Sequence, residues 1–427
     1  MSDFDLLVRS EQDIGISDGK IVSLGENLAG SAKAEIDARR LAIFPGVIDA
    51  HVHFNEPGRA DWEGFASGSR AAAAGGTTTI FDMPLNAHPP TIDGAAFDEK
   101  RVAAEQHSLV DFGLWGGLVP GNVDELETLR DRGTVGIKAF MSNSGIEDFP
   151  AVDATTLRAG MLRAAELDLL VAVHAETDAM NHPPAGRTDV RAYLESRPVE
   201  AELDAIRRAL DLAAETGCRL HIVHVSCGRG VAVVAEARAR GLDVTCETCP
   251  HYLVLTGEDM ERLGAVAKCA PPLRSAEDQA ELWARLGDVS TIGSDHSPSS
   301  WAMKELANFF EVWGGISGCQ HLLGLLLEKL SCAEIIRLTS GGVAGRFRLP
   351  GKGGLEIGHD ADFSLVDLEA ETEVGAASLH YRHRHSPYVG RKLRGRIART
   401  FLRGQTIFED GNFPARPRGR LVRPKLA

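Results

Sequence analysis

The chain has 427 residues, 44% hydrophobic and 25% charged, enough apolar material for a large core and too much for a disordered chain. Sixty Asp and Glu against 46 Lys and Arg leave a net charge of −14, which repels phosphate backbones and anionic lipid, so neither nucleic acid nor a membrane is expected as a partner. The start, Met1-Ser2-Asp3-Phe4-Asp5, is acidic where a secretory leader is basic, and seven cysteines is an odd number, so a cytoplasmic protein with reduced thiols is expected.

Residues 1–40 carry strand-like runs at Phe4–Val8 and Lys20–Leu24, joined through the turn signal Ser17-Asp18-Gly19. Eight β-branched or apolar runs follow: Leu41–Phe54, Thr77–Met83, Val110–Val119, Val135–Met141, Leu169–His174, Leu220–Val225, Val244–Cys249 and Val289–Gly293. Between them lie helix-like stretches at Asp61–Ala74, Asp93–His107, Val123–Arg132, Ala154–Leu167, Glu200–Thr216, Gly228–Arg240 and Ala276–Leu286, with a last one from His321 to Leu338. After residue 354 the strand-like runs return, at Ala361–Val366, Ala398–Leu402 and Gln405–Phe408.

Strands alternating with helices predict an α/β fold, a (β/α)8 TIM-type barrel, with a small β-sandwich domain built from the N- and C-terminal segments. The expected division is 1–44 with 351–427 for the sandwich and 45–350 for the barrel. Periodicity alone also allows a doubly wound open sheet; ligand-type residues at the C-terminal ends of many strands favour the barrel, which gathers its site there. Cys246-Glu247-Thr248-Cys249 has no second pair to complete a zinc site and reads as buried small hydrophobes on a strand. The Arg/Pro tail Arg416–Lys425 reads as a loosely held end, and the basic runs Tyr381–His385 and Arg391–Arg396 as a solvated or interface face.

Ile48-Asp49-Ala50-His51-Val52-His53 is an apolar strand ending in H-x-H. Residues two apart on a strand share a side, so His51 and His53 project together and suit chelation of one cation, although the pair alone fits two satisfied interior histidines equally well. His174, His224 and Asp295 fall at the same ends of their strands. Four histidines and an aspartate exceed one tetrahedral zinc and suit two metals, provided another anion bridges them. Lys138, on the fourth run, is a cation expected among cations; as a neutral amine it can add carbon dioxide to give a carbamate with one oxygen for each metal.

These residues resemble the binuclear metal site of the cyclic amidohydrolases, which include dihydroorotase, dihydropyrimidinase/hydantoinase and allantoinase, and the resemblance spans nearly the whole chain. Within that family the allantoinase group is most similar. The similarity is carried by His53–Arg59, Asp82–Asn86, Phe140-Met141-Ser142, Cys246–Leu253, Lys268–Pro272, Ser294–Pro298 and Trp313–Gly318. It implies two divalent ions, zinc first with cobalt, manganese or iron possible, held by His51, His53, Lys138, His174, His224 and Asp295. It further implies hydrolysis of the hydantoin-ring amide of allantoin to allantoate, in purine and ureide catabolism, by a hydroxide bridging the metals, with Asp295 as the catalytic base and then acid. Asn86 and Ser297, with backbone groups near Ala270 and Ser317, are the expected substrate contacts, and the partners are a small-molecule substrate and further copies of the chain in a tetramer or dimer.

Sibling activities fit less well. Dihydroorotases resemble H-x-H-x-R-E-P and D-H-A-P-H, whose Arg and last His bind a substrate carboxylate; Asn55 and Ser299 stand there in this chain. Hydantoinases and dihydropyrimidinases usually present a tyrosine just after the lysine strand, and Phe140-Met141-Ser142-Asn143 contains none. A non-catalytic relative would have lost metal ligands, whereas all six candidates are present. Of the remaining histidines, His296 is expected to support Asp295, and His221 and His251 to be structural.

Overall fold

The structure, a computed structural model, describes residues 12–414 and 416–426, so the Phe4–Val8 run lies outside the described residues. Gly19, in a left-handed conformation open to glycine, turns β1 (Asp13–Ser17) into β2 (Lys20–Gly25) as an antiparallel hairpin. β3 (Ala42–Pro45) then leads directly into the first barrel strand, β4 (Val47–Val52).

All eight expected barrel strands form. β4, β5 (Thr77–Asp82) and β6 (Asp111–Leu114) pair in parallel and are buried along their whole length, as continuous apolar runs covered on both faces must be. At Trp115 the third strand changes neighbour: β6 pairs with β5, while its continuation β7 (Gly116–Gly117) pairs with β8 (Ile137–Phe140). Gly117 permits the close approach, since a Cβ there would lie 2.5 Å from the Phe149 ring. β9 (Leu170–His174), β10 (Arg219–Ile222), β11 (Val244–Thr248) and β12 (Thr291–Ile292) continue the parallel order. A parallel bridge between Val52 and His296, with His53 N–H donating to the His296 carbonyl at 2.7 Å, closes the last strand onto the first. The open-sheet alternative is thereby excluded.

The connecting helices start where short polar residues can cap them. Asp93, Asp153 and Ser275 each accept a backbone N–H of the first turn, opening the helices Gly94–His107, Ala154–Glu166 and Ala276–Ala284. The last stretch departs from expectation. The run from His321 to Leu338 is two helices, Leu322–Leu327 and Cys332–Ile336, because Ser331 and Glu334 form a capping box that starts a new helix. One π turn, Arg337–Gly341, follows.

β13 (Phe363–Glu373), β14 (Lys392–Leu402) and β15 (Gln405–Glu409) form an antiparallel sheet with β3 on its edge. One face packs Ala361, Phe363, Leu365 and Phe401 against Ile21 of the hairpin, which makes a small sandwich. The other face meets the barrel helices, where Thr400 Oγ1 donates to the Ala73 carbonyl at 2.7 Å.

Two surface readings are corrected. The Arg416–Lys425 tail is not loose: Phe112 N–H donates to the Arg420 carbonyl at 3.0 Å and Val422 N–H to the Phe112 carbonyl at 2.8 Å, so the tail runs parallel to β6 and covers its open edge. Tyr381–His385 is solvated only in part: Arg382 and Arg384 are exposed, whereas Tyr381 packs on the His296 ring and His385 Nε2 lies 2.8 Å from the Ser299 carbonyl, both side chains buried. No described helix is long and apolar enough to cross a membrane.

Candidate active site

The six residues expected to ligate metal meet at the C-terminal mouth of the barrel. His51 Nε2 and His53 Nε2 lie 3.2 and 3.5 Å from Asp295 Oδ1, so strands one and eight supply one cluster. His174 Nδ1 and His224 Nε2 lie 3.1 Å apart and form a second. The two clusters adjoin, with the His51 and His224 rings 5.4 Å between centroids. Lys138 is buried on the floor, 5.0 Å from the Phe140 ring, where it feels Asp295 and Glu247 as well as His174 and His224. Burial pushes its amine down to about 8 against the pull of those acids, which leaves roughly a tenth of it neutral at pH 7, the form that can add carbon dioxide.

Three of the four imidazoles are oriented by what their other nitrogen meets, while His224 Nδ1 is buried without a hydrogen-bond partner among the described residues. Glu247 Oε1 takes His51 Nδ1 at 2.7 Å and Glu176 Oε2 takes His174 Nε2 at 2.6 Å; the Asn86 amide lies 3.2 Å from His53 Nδ1. Asn86 Oδ1 has no other partner, and turned toward the ring it accepts the Nδ1 proton. The nitrogens left over, Nε2 of His51, His53 and His224 and Nδ1 of His174, converge, the last two 3.1 Å apart. In neutral rings this 3.1 Å pair either shares one proton, His224 Nε2–H donating to His174 Nδ1, or, with His224 in its other tautomer, turns two lone pairs inward that a divalent cation satisfies. Burial lowers the pKa of His53 and His174, and lowers that of His224 further with help from Lys138 and its histidine neighbours, so the rings stay neutral and competent as ligands. Burial alone would raise Asp295, but a proton on His51 or His53 outweighs it and holds the carboxyl below the usual range. The residues present therefore fit divalent metal.

Two strand ends reach this geometry through strained backbone: His224 and Asp295 sit at φ 39° and 45°, the left-handed region that non-glycine residues rarely occupy. Asn55 and Asn86, at φ 63° and 70°, turn the loops after β4 and β5, a conformation asparagine tolerates.

Of the expected substrate contacts, Asn86 is drawn to His53. Ala270 lies at the rim before a cis peptide bond to Pro271, and Ser297 N–H bonds the Ile316 carbonyl at 2.9 Å. Ser317 is buried with its hydroxyl unpartnered, while its carbonyl accepts from Ser386 Oγ at 2.7 Å. His296 does not support Asp295: its Nδ1 accepts the Gly318 N–H at 3.1 Å and its ring packs on Tyr381. His221 Nδ1 meets Thr245 Oγ1 at 2.7 Å, and His251 is buried without hydrogen-bond partners for either nitrogen. Glu176 and Glu247 were missed as functional residues. A signal existed for Glu176, two residues after His174 and hence on the same side of an extended chain; Glu247 was hidden inside the Cys246–Cys249 pair, whose cysteines are buried and unpaired as expected.

Comparison with known proteins places the chain in a family. A profile of the amidohydrolase family matches residues 42–407, and the chain belongs to that family. It is 55% identical to an allantoinase of Rubrobacter xylanophilus, covering 100% of this chain and 99% of the relative. It is 52% identical to an allantoinase of Solibacter usitatus, over 97% and 93% of the two chains. Among solved structures, the L-hydantoinase (dihydropyrimidinase) of Arthrobacter aurescens superposes with a TM-score of 0.94 at 36% identity, over 97% of this chain and 96% of that one. The dihydropyrimidinase of Brevibacillus agri gives 0.91 at 30% identity, over 97% and 95%.

Proposed function

We propose that this protein is an allantoinase, opening the hydantoin ring of allantoin at an amide bond to give allantoate in purine and ureide catabolism. The observation that carries the reading is the 55% identity, end to end, with a relative of that name, against 36% for the hydantoinase. His51, His53, His174, His224 and Asp295, with Lys138 as a carbamate, would hold two divalent ions, zinc in first place with cobalt, manganese or iron as alternatives. When bound, such ions acidify water and polarise the carbonyl to be attacked.

The remaining chemistry belongs to the chain. Asp295, kept ionised by His51 and His53, accepts a proton from the attacking water and returns it to the ring nitrogen as the carbon–nitrogen bond breaks. Glu247 and Glu176 hold His51 and His174 in register throughout. Ser297, Ala270 and Ser317 bind the substrate amides, and Asn86 acts beside them through His53. Allantoin has no carboxylate, which suits a pocket where Asn55 is buried with its amide 3.4 Å from the Pro298 carbonyl.

The proposal extends to the division into a sandwich of 1–44 and 351–427 and a barrel of 45–350, supported by the direct passage from β3 in one sheet to β4 in the other. It extends also to a homo-oligomer, tetramer or dimer, in the cytoplasm, which rests on the family resemblance and the acidic composition. A hydantoinase or dihydropyrimidinase activity is the second reading, favoured by the structural superposition. The test of the site is Lys138→Ala: allantoate release falls by at least about a hundredfold and returns in part with added formate or acetate, standing in for the carbamate. Undiminished turnover in that variant sinks the assignment.

A further inference from the structure

Two buried lysines outside the metal constellation have no carboxylate partner among the described residues. Lys304, 3% exposed, donates from Nζ to the carbonyls of Ala265, Trp313 and Gly315 at 3.1, 2.9 and 2.7 Å. Lys268, 4% exposed, donates to the carbonyls of Phe309, Phe310 and Val312 at 2.7, 3.1 and 2.6 Å, with its charge 4.6 Å from the centre of the Tyr193 ring. Burying an ammonium without a counter-charge is costly, and burial pushes Lys304 down to about 7 and Lys268 to about 8. What the cost secures is visible: three N–H donors on each ammonium are matched by three carbonyls, and five of the six belong to residues 309–315, a stretch with no helix or strand of its own.

That stretch is a strap across the barrel mouth. It runs into Ile316, which forms a parallel bridge with His296, and Trp313 Nε1 donates to the Ser297 carbonyl at 3.1 Å. Gly315 presses so close that a Cβ would lie 2.1 Å from the Ser297 carbonyl oxygen. The Trp313 ring meets Trp62, from the loop after β4, edge to face at 4.9 Å, so the strap spans from the eighth strand to the first. Lys268 is itself two residues before Ala270, so its ammonium fixes the Ala270 segment to the strap.

We infer that Lys268 and Lys304 are positioning residues, which gather the strap's carbonyls and thereby set the two backbone segments that face the substrate, near Ala270 and Ser317, at the spacing allantoin requires. The inference deepens the allantoinase reading and rests on it for the identity of the substrate. Methionine at either position keeps the volume and removes all three donors. In the zinc-loaded full-length enzyme, Lys304→Met and Lys268→Met each raise KM for allantoin about tenfold with kcat within about twofold and metal content unchanged, and amide exchange accelerates in 305–317 but not in the barrel strands. Gly315→Ala, which pushes the strap and the carbonyl that Lys304 holds off Ser297 while leaving both lysines in place, raises KM in the same way and serves where a lysine variant fails to fold. Unchanged KM with unchanged exchange in 305–317, or a loss of kcat and metal with KM unmoved, overturns the positioning role. Should the unmodified enzyme release no allantoate, the substrate reading fails separately, and exchange in 305–317 alone then decides: acceleration confined to the strap upholds the lysines' role and its absence refutes it.

Discussion

Glu247 and Glu176 do at the active site what no metal ligand can do for itself: each takes the proton of an imidazole's second nitrogen and so decides which lone pair faces inward. Removing the charge of Glu247 while keeping its shape, as Gln, should weaken metal affinity about 10–100-fold, read by zinc titration against a competing chelator. An unchanged affinity would mean that His51 needs no such partner. His321 is one of the buried histidines that contribute to acid stability. Burial, helped by the charge of His380, holds His321 neutral down to about 4, against 6.5 for an exposed histidine. The unfolded chain therefore binds the extra proton first, and stability that is complete above pH 6.5 is lost as pH falls toward 4, by up to roughly 3 kcal/mol from this group. In His321→Gln the urea midpoint should fall less steeply than in the parent over that window; parallel curves would contradict the assignment. The convergence of the proposed ligands was legible because strand periodicity and chain position place His51, His53, His174, His224 and Asp295 at equivalent strand ends. The supporting acids were not, since a glutamate between two cysteines gives no sign of which strand it faces.

At the scale of elements, β6 shows how the barrel copes with a strand that changes neighbour. Its departure from β8 leaves backbone groups to be paired, and the C-terminal tail pairs them, with Arg420 N–H also donating to Asp111 Oδ1 at 2.9 Å. Lys352 adds a buried charge link there, reaching Asp111 of β6 at 2.7 Å and Asp360 at 2.9 Å. Deleting residues 416–427 should cost about 3 kcal/mol, by loss of several backbone hydrogen bonds at about 0.5–1.5 kcal/mol each, measured as a shift in denaturant midpoint. A truncated chain as stable as the parent would show the tail to be dispensable. Sequence pattern reached the eight strands and seven helices because long periodic runs carry their own signal. It failed for the tail and for Tyr381–His385, whose charged composition suggests solvent. There the charged heads do reach out while the backbone or the alternate aromatic side chains are taken up by tertiary contacts. The split of the last helical stretch was written in Ser331-x-x-Glu334, a cap that an apolar run on both sides concealed.

For the whole molecule, a closed parallel barrel delivers the six proposed ligands from strands one, four, five, six and eight to one mouth, and the terminal sheet packs on the flanking helices. The account stands or falls on what that mouth hydrolyses. The most direct measurement is turnover of racemic allantoin by protein purified with zinc and bicarbonate, followed as allantoate, with hydantoin, dihydrouracil and dihydroorotate run beside it and bound metal counted in the same sample. The account predicts about two ions per chain and allantoate formed at least about tenfold faster than any product from the other three. Metal-loaded protein that opens hydantoin or dihydrouracil and leaves allantoin intact would contradict it.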